Sequence, residues 1–483
     1  MMEKTYTCEE RLTDGAEDDA SREPTSERRK RLLLQAGLAS LAGLGNFTMG
    51  ASQPWPSPGL ADMDVNNRTL VGTEISLSLA QKDMTGSLMY FGSLFGSWAS
   101  GWIMGVIGRR RAHQINALPF FVGWILVAFA PYAEVLLAGR FVLGLAVGSV
   151  MVTGMSYVLE IADTSVRGML SLIPNLGTVL GGQYTFWLGT VLQWHHLAIV
   201  CSLPLYLILL GSLLLPESPS YLVVCGRHGE ASRILRRLRG PHSNVQAEIE
   251  ELERRNSAET GRKIGLRDLA KGQVWRRMLV VVISFLLQQL CGNVVLKIQT
   301  TRVLQAAGPP PLDPKLASGI IVIMRIAGVL VSFFLWDSIG RRLCLVISHA
   351  MNAAALLFLG TFVYLVDNAD PGDDTYLSYN WIPMVCLAIA LFAGDIGIDP
   401  IPYILSAEYF PTKIRTQVSS MCIVSGTIFA KFFFGGGGAL QLYSPMIALL
   451  TQPGLYWFYG GTSVVATLFS LVAVTETKAQ PVG

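Results

Sequence analysis

The sequence predicts an all-α integral membrane protein with twelve transmembrane helices. Three observations carry this prediction: 51% of the 483 residues are hydrophobic, only 15% are charged, and the mean hydropathy is +0.44. Soluble domains carry about 25% charged residues, so this composition excludes both a soluble globular protein and a disordered chain. A helix needs about 20 apolar residues to cross the hydrocarbon core of a bilayer, and twelve segments of that kind can be found.

Polar connections separate the apolar segments, and the longest of them, residues 216–277, follows the sixth segment. The first predicted span follows the basic run 28–31 and shows no secretory cleavage site. The segment before the last is the least regular, because it contains the glycines 435–438. The predicted spans are residues 32–52, 85–107, 114–133, 135–159, 168–191, 196–215, 278–305, 316–336, 343–366, 381–406, 417–440 and 455–475.

Lys and Arg are concentrated in alternate connections, and this bias predicts the orientation in the membrane. Basic residues lie at 28–31, 109–111 and 341–342, and the connection 216–277 holds thirteen Lys and Arg residues against eight Asp and Glu residues. The connection 367–380 contains four Asp residues and no Lys or Arg. We therefore expect both termini to be cytoplasmic and the protein to lie in the plasma membrane.

Two further features of the connections bear on this topology. The sequon Asn67-Arg68-Thr69 lies outside the cell in this orientation, where it either carries a glycan on Asn67 or is a chance tripeptide. The connection 216–277 has a helical composition in which acidic and basic residues are interleaved. This composition favours solvated helices beneath the membrane and argues against nucleic acid as a partner.

The chain contains a weak internal repeat. A Gly-Arg-Arg triplet follows the second and the eighth spans, and a Glu seven residues before an Arg follows the fourth and the tenth. Two six-helix halves related by duplication produce this register. The repeated residues are Gly108, Arg109, Arg110, Glu160 and Arg167 in the first half and Gly340, Arg341, Arg342, Glu408 and Arg415 in the second. The predicted regions are a cytoplasmic tail (1–31), a six-helix bundle (32–215), a cytoplasmic linker with short helices (216–277), a second six-helix bundle (278–475) and a second cytoplasmic tail (476–483).

The charged residues of this repeat are candidates for a gate. All of them lie at the cytoplasmic ends of predicted spans, where Glu and Arg side chains can form ion pairs between helices when the two halves close on that side. Anchoring of the topology by positive charge is the alternative for the arginines, but it does not account for Glu160 and Glu408. We therefore predict that these residues gate the inner side of the bundle.

A set of short motifs along the chain resembles the sugar porters of the major facilitator superfamily, and most closely the facilitative hexose and trehalose-transporter-like branch. The resemblance runs from about residue 35 to residue 478. It implies two six-helix bundles around a central cavity that opens alternately to either side, with the monomer as the functional unit. The motifs are GRFVLG (139–144), EIADTSVRG (160–168), PESP (216–219), QQL (288–290), DSIGRR (337–342), PIP (400–402), EYFPTKIR (408–415) and TETK (475–478).

The resemblance also implies which residues bind the solute, and several of them differ in this chain. Gln288 and Gln289 match the family's amide pair in the seventh span, although a polar contact between helices is the alternative. The shorter Asn175 stands where the family has a Gln in the fifth span, and Tyr403 stands where it has a Trp. Val294 replaces a family Asn. We expect Gln288, Gln289, Asn175 and Tyr403 to contact the solute.

Four charged residues lie inside the C-terminal spans at positions where the family has other residue types. Lys297 lies in the seventh span, Arg325 in the eighth, and Asp395 and Asp399 one turn apart in the tenth. A charge at bilayer depth costs about 3 kcal/mol, so each must face a cavity or a partner. The four charges are either ion-pair staples between helices or part of a cavity for a charged solute or a proton, or they mark a protein that no longer transports. We predict that Arg325 pairs with Asp395 at the substrate site.

The function that the resemblance implies is facilitative transport of a small polar solute, most specifically a sugar or polyol. Residues 32–60 contain no Asp or Glu, whereas similar proton-coupled porters use an Asp there, which favours a uniporter unless Asp395 or Asp399 titrates. The alternatives are a transporter-like solute sensor or regulatory protein without net transport, and an organic-anion transporter that uses the four charged residues of the C-terminal spans. No nucleophile–base pair, metal-ligand cluster or nucleotide-binding loop is apparent, so we expect neither an enzyme nor a cofactor or metal.

Overall fold

The computed structural model describes residues 25–163, 166–240, 244–260, 272–306, 312–368, 379–409 and 443–476. These residues are almost entirely helical and hold no β-strand beyond one isolated bridge between Arg68 and Glu74. In the first half the helices are α1 (Thr25–Ser52), α2 (Pro56–Met63), α3 (Leu79–Ile107), α4 (Arg109–Ala128), α5 (Ala133–Ile161), α6 (Arg167–Leu170), α7 (Leu172–Gly189), α8 (Trp194–Ser202) and α9 (Pro204–Leu214).

The linker and the second half continue the helical chain. Their helices are α10 (Pro219–Val224), α11 (His228–Arg239), α12 (Val245–Thr260), α13 (Gly272–Leu290), α14 (Asn293–Ala306), α15 (Pro314–Ile339), α16 (Arg341–Asp367), α17 (Ile382–Ala393), a π-helical turn (Gly394–Ile398), α18 (Ile401–Glu408) and α19 (Tyr443–Ala473). The predicted seventh span is broken at Gly292, whose φ of +77° suits a residue without a Cβ. The predicted tenth span is interrupted by the π-helical turn.

Eleven of the twelve predicted spans coincide with helices of the described residues, and the eleventh in order, 417–440, lies outside them. Eight helical stretches within the described ranges are long and apolar enough to cross a membrane. The helices α3, α4 and α7 are less apolar because they carry small, polar or basic residues. Small residues lower the hydropathy of a span but allow neighbouring helices to approach closely.

Glycines bring α3 and α5 into close contact along their lengths. Gly92 and Gly96 of α3 face α5, and Gly144 and Gly148 of α5 face α3. A Cβ at any of these four positions would fall on a main-chain carbonyl oxygen of the other helix. The spacing of four residues places each pair on one side of its helix, which is the small-residue packing pattern of membrane helices.

The linker docks on the first half through its main-chain carbonyl groups and one arginine. Arg239 of α11 donates hydrogen bonds to the carbonyl oxygens of Ile161 (2.9 Å) and Ala162 (3.2 Å) at the end of α5. The side chain of Gln35 donates to the carbonyl oxygen of Leu238 at 2.8 Å. A cation near the C-terminus of a helix is favourable because it meets carbonyl groups that lack helical partners.

The two halves meet where α7 packs against α15 and where α2 packs against α14. The side of the bundle that carries the starts of α4 and α16 is called the arginine face below, because α4 begins with three arginines and α16 with two. The other side, which carries α2 and the start of α3, is called the opposite face. The broken helix α13–α14 and the π-helical turn of the tenth span lie between these two faces.

Candidate functional site

The Gly-Arg-Arg triplets form the same structure in both halves. Gly108 (φ +90°) and Gly340 (φ +88°) occupy a backbone region that favours glycine, directly before the helices α4 and α16. A Cβ at Gly108 would lie 2.6 Å from the carboxylate of Glu217, and a Cβ at Gly340 would lie 2.5 Å from that of Glu476. Glycine is therefore needed both for the turn and for the approach of a carboxylate.

These two carboxylates cap the helices and were given no role by the sequence analysis. Glu217 accepts hydrogen bonds from the main-chain N–H groups of Arg109 (2.8 Å) and Arg110 (3.1 Å). Glu476 accepts from those of Arg341 (3.0 Å) and Arg342 (3.1 Å). A carboxylate at a helix N-terminus satisfies unpaired N–H groups and complements the helix dipole. Each of them directly follows the last predicted span of its half, and this shared position was the sequence signal that could have revealed them.

The arginine side chains of the repeat form ion pairs within each half. Arg109 lies 3.0 Å from Glu160 and joins α4 to α5. Arg341 lies 3.4 Å from Glu408 and joins α16 to α18. The second arginine of each triplet turns away, since Arg110 donates to the carbonyl oxygen of Leu213 and Arg342 donates to that of Leu471. Arg415 lies outside the described residues, as does the side chain of Arg167.

Four charged side chains meet at mid-depth in the second half and are called the charged quartet below. Arg325 donates to Asp395 through Nε (2.9 Å) and Nη2 (3.3 Å), so the predicted pair is present. Lys297 Nζ lies 3.0 Å from Asp395 Oδ1 and also pairs with Asp399. The side chains are 7% exposed at Asp395, 12% at Arg325, 16% at Lys297 and 23% at Asp399. Two cations and two carboxylates therefore share one mostly buried cluster with no net charge.

Gln288, one of the amides predicted to bind solute, lies beside this cluster. Gln288 is 5% exposed, and its Nε2 donates to the main-chain carbonyl oxygen of Asp399 at 3.1 Å. Its Oε1 is buried and accepts no hydrogen bond from the described residues. Gln289 is half-buried on the same helix, and Tyr403 is half-buried with its ring edge-on to Phe285, 4.9 Å between centroids. The structure thus groups Gln288 with the quartet, and it also brings α13 to the tenth span.

Asn175 stands apart from that grouping. It lies in the first turns of α7, on the arginine-face side of the first half, and it is exposed. Farther along α7, a Cβ at Gly182 would lie 3.7 Å from Arg325 Nη1, so the quartet does face the first half across the interface. The part of α7 that meets the quartet is therefore about two turns beyond the predicted asparagine.

The halves are linked at the opposite face by polar contacts that the sequence analysis did not anticipate. Arg302 of α14 pairs with Asp83 of α3 at 2.9 Å, and Asp83 is 1% exposed. The hydroxyl groups of Ser57 and Thr301 lie 2.9 Å apart, and Thr301 lies 3.0 Å from Ser318. The pair of Arg302 with Asp83 is called the opposite-face latch below. An arginine inside a predicted span was the signal that such a partner had to exist.

Comparison with known proteins decides the family. The model of the family described as "Sugar (and other) transporter" matches residues 60–482. This chain belongs to that family. It is therefore a multi-pass integral membrane protein of a transporter family, which is not a class of enzymes. Among the described residues, no three His, Cys, Asp or Glu side chains are grouped as a metal site requires.

Individual members of the family match over nearly the whole chain. The facilitated trehalose transporter Tret1 of Polypedilum vanderplanki is 28% identical over 91% of this chain and 85% of its own length. Tret1 of Bombyx mori is 28% identical over 94% of this chain and 86% of its own. The sugar transporter ERD6-like 6 of Arabidopsis thaliana is 26% identical over 91% and 87%. The resemblance to sugar porters noted in the sequence is confirmed.

Solved structures of the same superfamily share the fold. The inward-open conformation of the xylose transporter XylE from E. coli superposes with a TM-score of 0.72, at 20% identity, over 92% of this chain and 97% of that one. XylE bound to 6-bromo-6-deoxy-D-glucose gives a TM-score of 0.71 over the same shares. The predicted fold class, an all-α membrane protein of the major facilitator type, is confirmed.

Proposed function

We propose that this protein carries a neutral sugar or polyol across the membrane by facilitated transport. The observation that carries the proposal is the buried Gln288 Oε1, which has no donor among the described residues and lies beside the charged quartet. A solute hydroxyl can donate to this oxygen. The carboxylates and cations of the quartet can form charge-assisted hydrogen bonds with further hydroxyls. The relatives include facilitated trehalose transporters, and the structural neighbour is a xylose transporter. Both names support a sugar as the solute.

The balance of charge favours a neutral solute over an organic anion. Lys297 contacts both carboxylates, and Arg325 donates hydrogen bonds to Asp395 through two of its nitrogen atoms. A cluster with no net charge has little long-range attraction for an anion. An anion could still bind to the third nitrogen atom of Arg325, Nη1, which lies near Gly182. Carboxylate-bearing solutes therefore belong in the test as the competing class.

The test is uptake by purified protein in sealed vesicles. Hexoses, trehalose, polyols and organic acids are supplied as radiolabelled solutes, each with and without a pH gradient. We expect uptake of a sugar or polyol that is unaffected by the gradient, since both carboxylates already face cations. Uptake of acids alone would favour the organic-anion alternative, and binding without uptake would favour a solute sensor.

We further propose the orientation and the gates. The arginine face is cytoplasmic by the distribution of Lys and Arg, so both termini are cytoplasmic. The exposed Asn67 then lies outside as a candidate glycosylation site of a plasma-membrane protein. The pairs of Arg109 with Glu160 and Arg341 with Glu408 each lie within one half, and we propose that they hold the helix ends that meet when the cytoplasmic side closes, together with the other charged residues of the repeat. During transport the bundles 32–215 and 278–475 would tilt against each other around the quartet, and a single monomer would be the functional unit.

Gln288→Leu is expected to raise the apparent KM for the transported sugar about tenfold. The change removes the free oxygen and the hydrogen bond to Asp399, and each lost hydrogen bond is worth about 1 kcal/mol. Initial uptake rates over a range of sugar concentrations measure the effect. Gln452→Leu is the matched control, because Gln452 bonds to Tyr456 within α19, away from the quartet. An unchanged KM in a transporting variant would place the solute elsewhere.

Glu408→Gln is expected to favour the state that is open at the arginine face and to slow exchange several-fold. The change breaks the pair that joins α18 to Arg341 at the start of α16, and the proposed closure of this side requires these helix ends to stay in place. Labelling of a cysteine introduced at Asn175 by a maleimide measures opening on that side. Glu253→Gln is the control, since Glu253 pairs with His228 on the exposed surface of the linker. Equal labelling in both variants would remove the gate role of Glu408 and leave topology anchoring as the role of the arginines.

A further inference from the structure

The tenth span contains a main-chain carbonyl group that its own helix does not satisfy in the usual way. In an α-helix the carbonyl oxygen of Ile396 would accept from the N–H of residue 400. That residue is Pro400, which has no N–H. Trp336 of α15 supplies the missing donor, since its Nε1 lies 2.8 Å from the Ile396 oxygen. A side chain of the eighth span therefore completes the hydrogen bonding of the tenth.

A serine of the ninth span completes the other side of the same turn. The hydroxyl group of Ser348 donates to the carbonyl oxygen of Ala393 and accepts from the N–H of Ile398 at 3.0 Å. These two groups are five residues apart, which is the pair that a π-helical turn joins directly. Ser348 is fully buried, and a Cβ at Gly397 would lie 2.9 Å from its Cβ. The hydroxyl therefore bridges the turn at a point where glycine permits close approach.

We infer that Ser348 and Trp336 are positioning residues of the transport site, an inference that rests on the proposed function. The π-helical turn contains Asp395 and ends directly before Asp399, so both carboxylates follow its geometry. A residue of α-helix turns the chain by about 100°. A π-helical turn holds one residue more than an α-helical turn. If it became α-helical, the part of the tenth span after the turn would rotate relative to the part before it. Asp395 and Asp399 could then not both stay in contact with Lys297.

Ser348→Ala and Trp336→Phe each remove one hydrogen-bonding group and keep most of the side-chain volume. We expect each variant to raise the apparent KM for the transported sugar at least fivefold, with less change in the maximal rate. We also expect Lys297 to react at least threefold faster with the permeant amine reagent ethyl acetimidate. The second readout is taken from peptide mass spectrometry of the full-length protein in vesicles and needs no transported solute.

Two matched controls separate positioning from general destabilisation. Ser332→Ala removes an equally buried hydroxyl that donates within α15, to Val329 at 2.8 Å. Trp457→Phe removes an indole N–H that bonds to Thr361 at 3.3 Å, far from the turn. Both controls should keep the wild-type KM and the wild-type reactivity of Lys297.

The outcomes distinguish this inference from the proposed function. Wild-type values of either readout in both test variants would overturn the positioning role, as would equal changes in the controls. If Ser348→Ala does not assemble, Trp336→Phe decides the question alone, because it leaves the buried serine in place. If the wild-type protein carries no sugar or polyol, the proposed function fails, and the reactivity of Lys297 still decides whether the two residues hold the turn.

Discussion

Asp395→Asn is expected to abolish transport and to reduce the amount of folded protein strongly. Asp395 is the carboxylate that both Lys297 and Arg325 contact, so its neutralisation leaves two cations facing Asp399 alone. Removing one partner of a buried ion pair costs about 3–5 kcal/mol, which is a large part of the stability of most proteins. Protein amount in membranes and thermal unfolding in detergent measure the cost, and vesicle uptake measures the activity.

The charge-balanced double variant, Arg325→Asn with Asp395→Asn, is the informative partner of this experiment. It leaves Lys297 paired with Asp399, so we expect folding to recover. Continued transport of the same sugar would identify the Arg325–Asp395 pair as a staple between α15 and the tenth span. Loss of one solute from a well-folded variant would assign Arg325 to solute binding. Asp367→Asn, at the exposed end of α16, is the control. Wild-type stability of Asp395→Asn would contradict the importance of the quartet.

The sequence predicted the fold because its signals are local. Hydrophobic segments of the right length identify spans whatever their partners are, and eleven of them coincide with described helices. The repeated Gly-Arg-Arg triplets were also recognisable, since the left-handed glycine and the two arginines are adjacent in the chain. The pairing of Arg325 with Asp395 followed from one physical rule, namely that charges at bilayer depth need partners.

The details of the site depend on contacts between distant segments, and these could not be read from the sequence. Lys297 pairs with both carboxylates only because the seventh span breaks at Gly292 and the tenth makes a π-helical turn. Nothing in the segment itself says that Trp336 will supply the donor that Pro400 lacks. The sequence of α7 also does not show that the two halves meet farther along this helix than Asn175, which is exposed near its start.

Breaking the opposite-face latch is expected to shift the protein toward the state that is open on that side. Asp83 is almost fully buried, and Arg302, its partner across the interface, is 18% exposed on its side chain. Asp83→Asn removes the charge of the buried carboxylate that Arg302 contacts at 2.9 Å, and breaking a buried ion pair costs about 3–5 kcal/mol. Separation of the halves relieves this cost because it gives Arg302 access to water. Because the cost falls on the state in which the halves are together and not on the state in which they are apart, the variant shifts the populations toward the second state.

The shift can be measured at Thr300, which is fully buried on α14 between Lys297 and the latch. A membrane-impermeant maleimide, applied at the opposite face, should label Thr300→Cys at least fivefold faster when Asp83→Asn is present, above the background of the native cysteines. Asp64→Asn is the matched control, because Asp64 pairs with Lys82 on the same side but is 57% exposed, and exposed pairs contribute about 0–1 kcal/mol. The double variant Asp83→Asn with Arg302→Gln removes both charges and should return labelling toward the wild-type rate. If Asp83→Asn and Asp64→Asn label alike, the halves are held at this face by the contacts of Ser57 and Thr301, and the ion pair is not a latch.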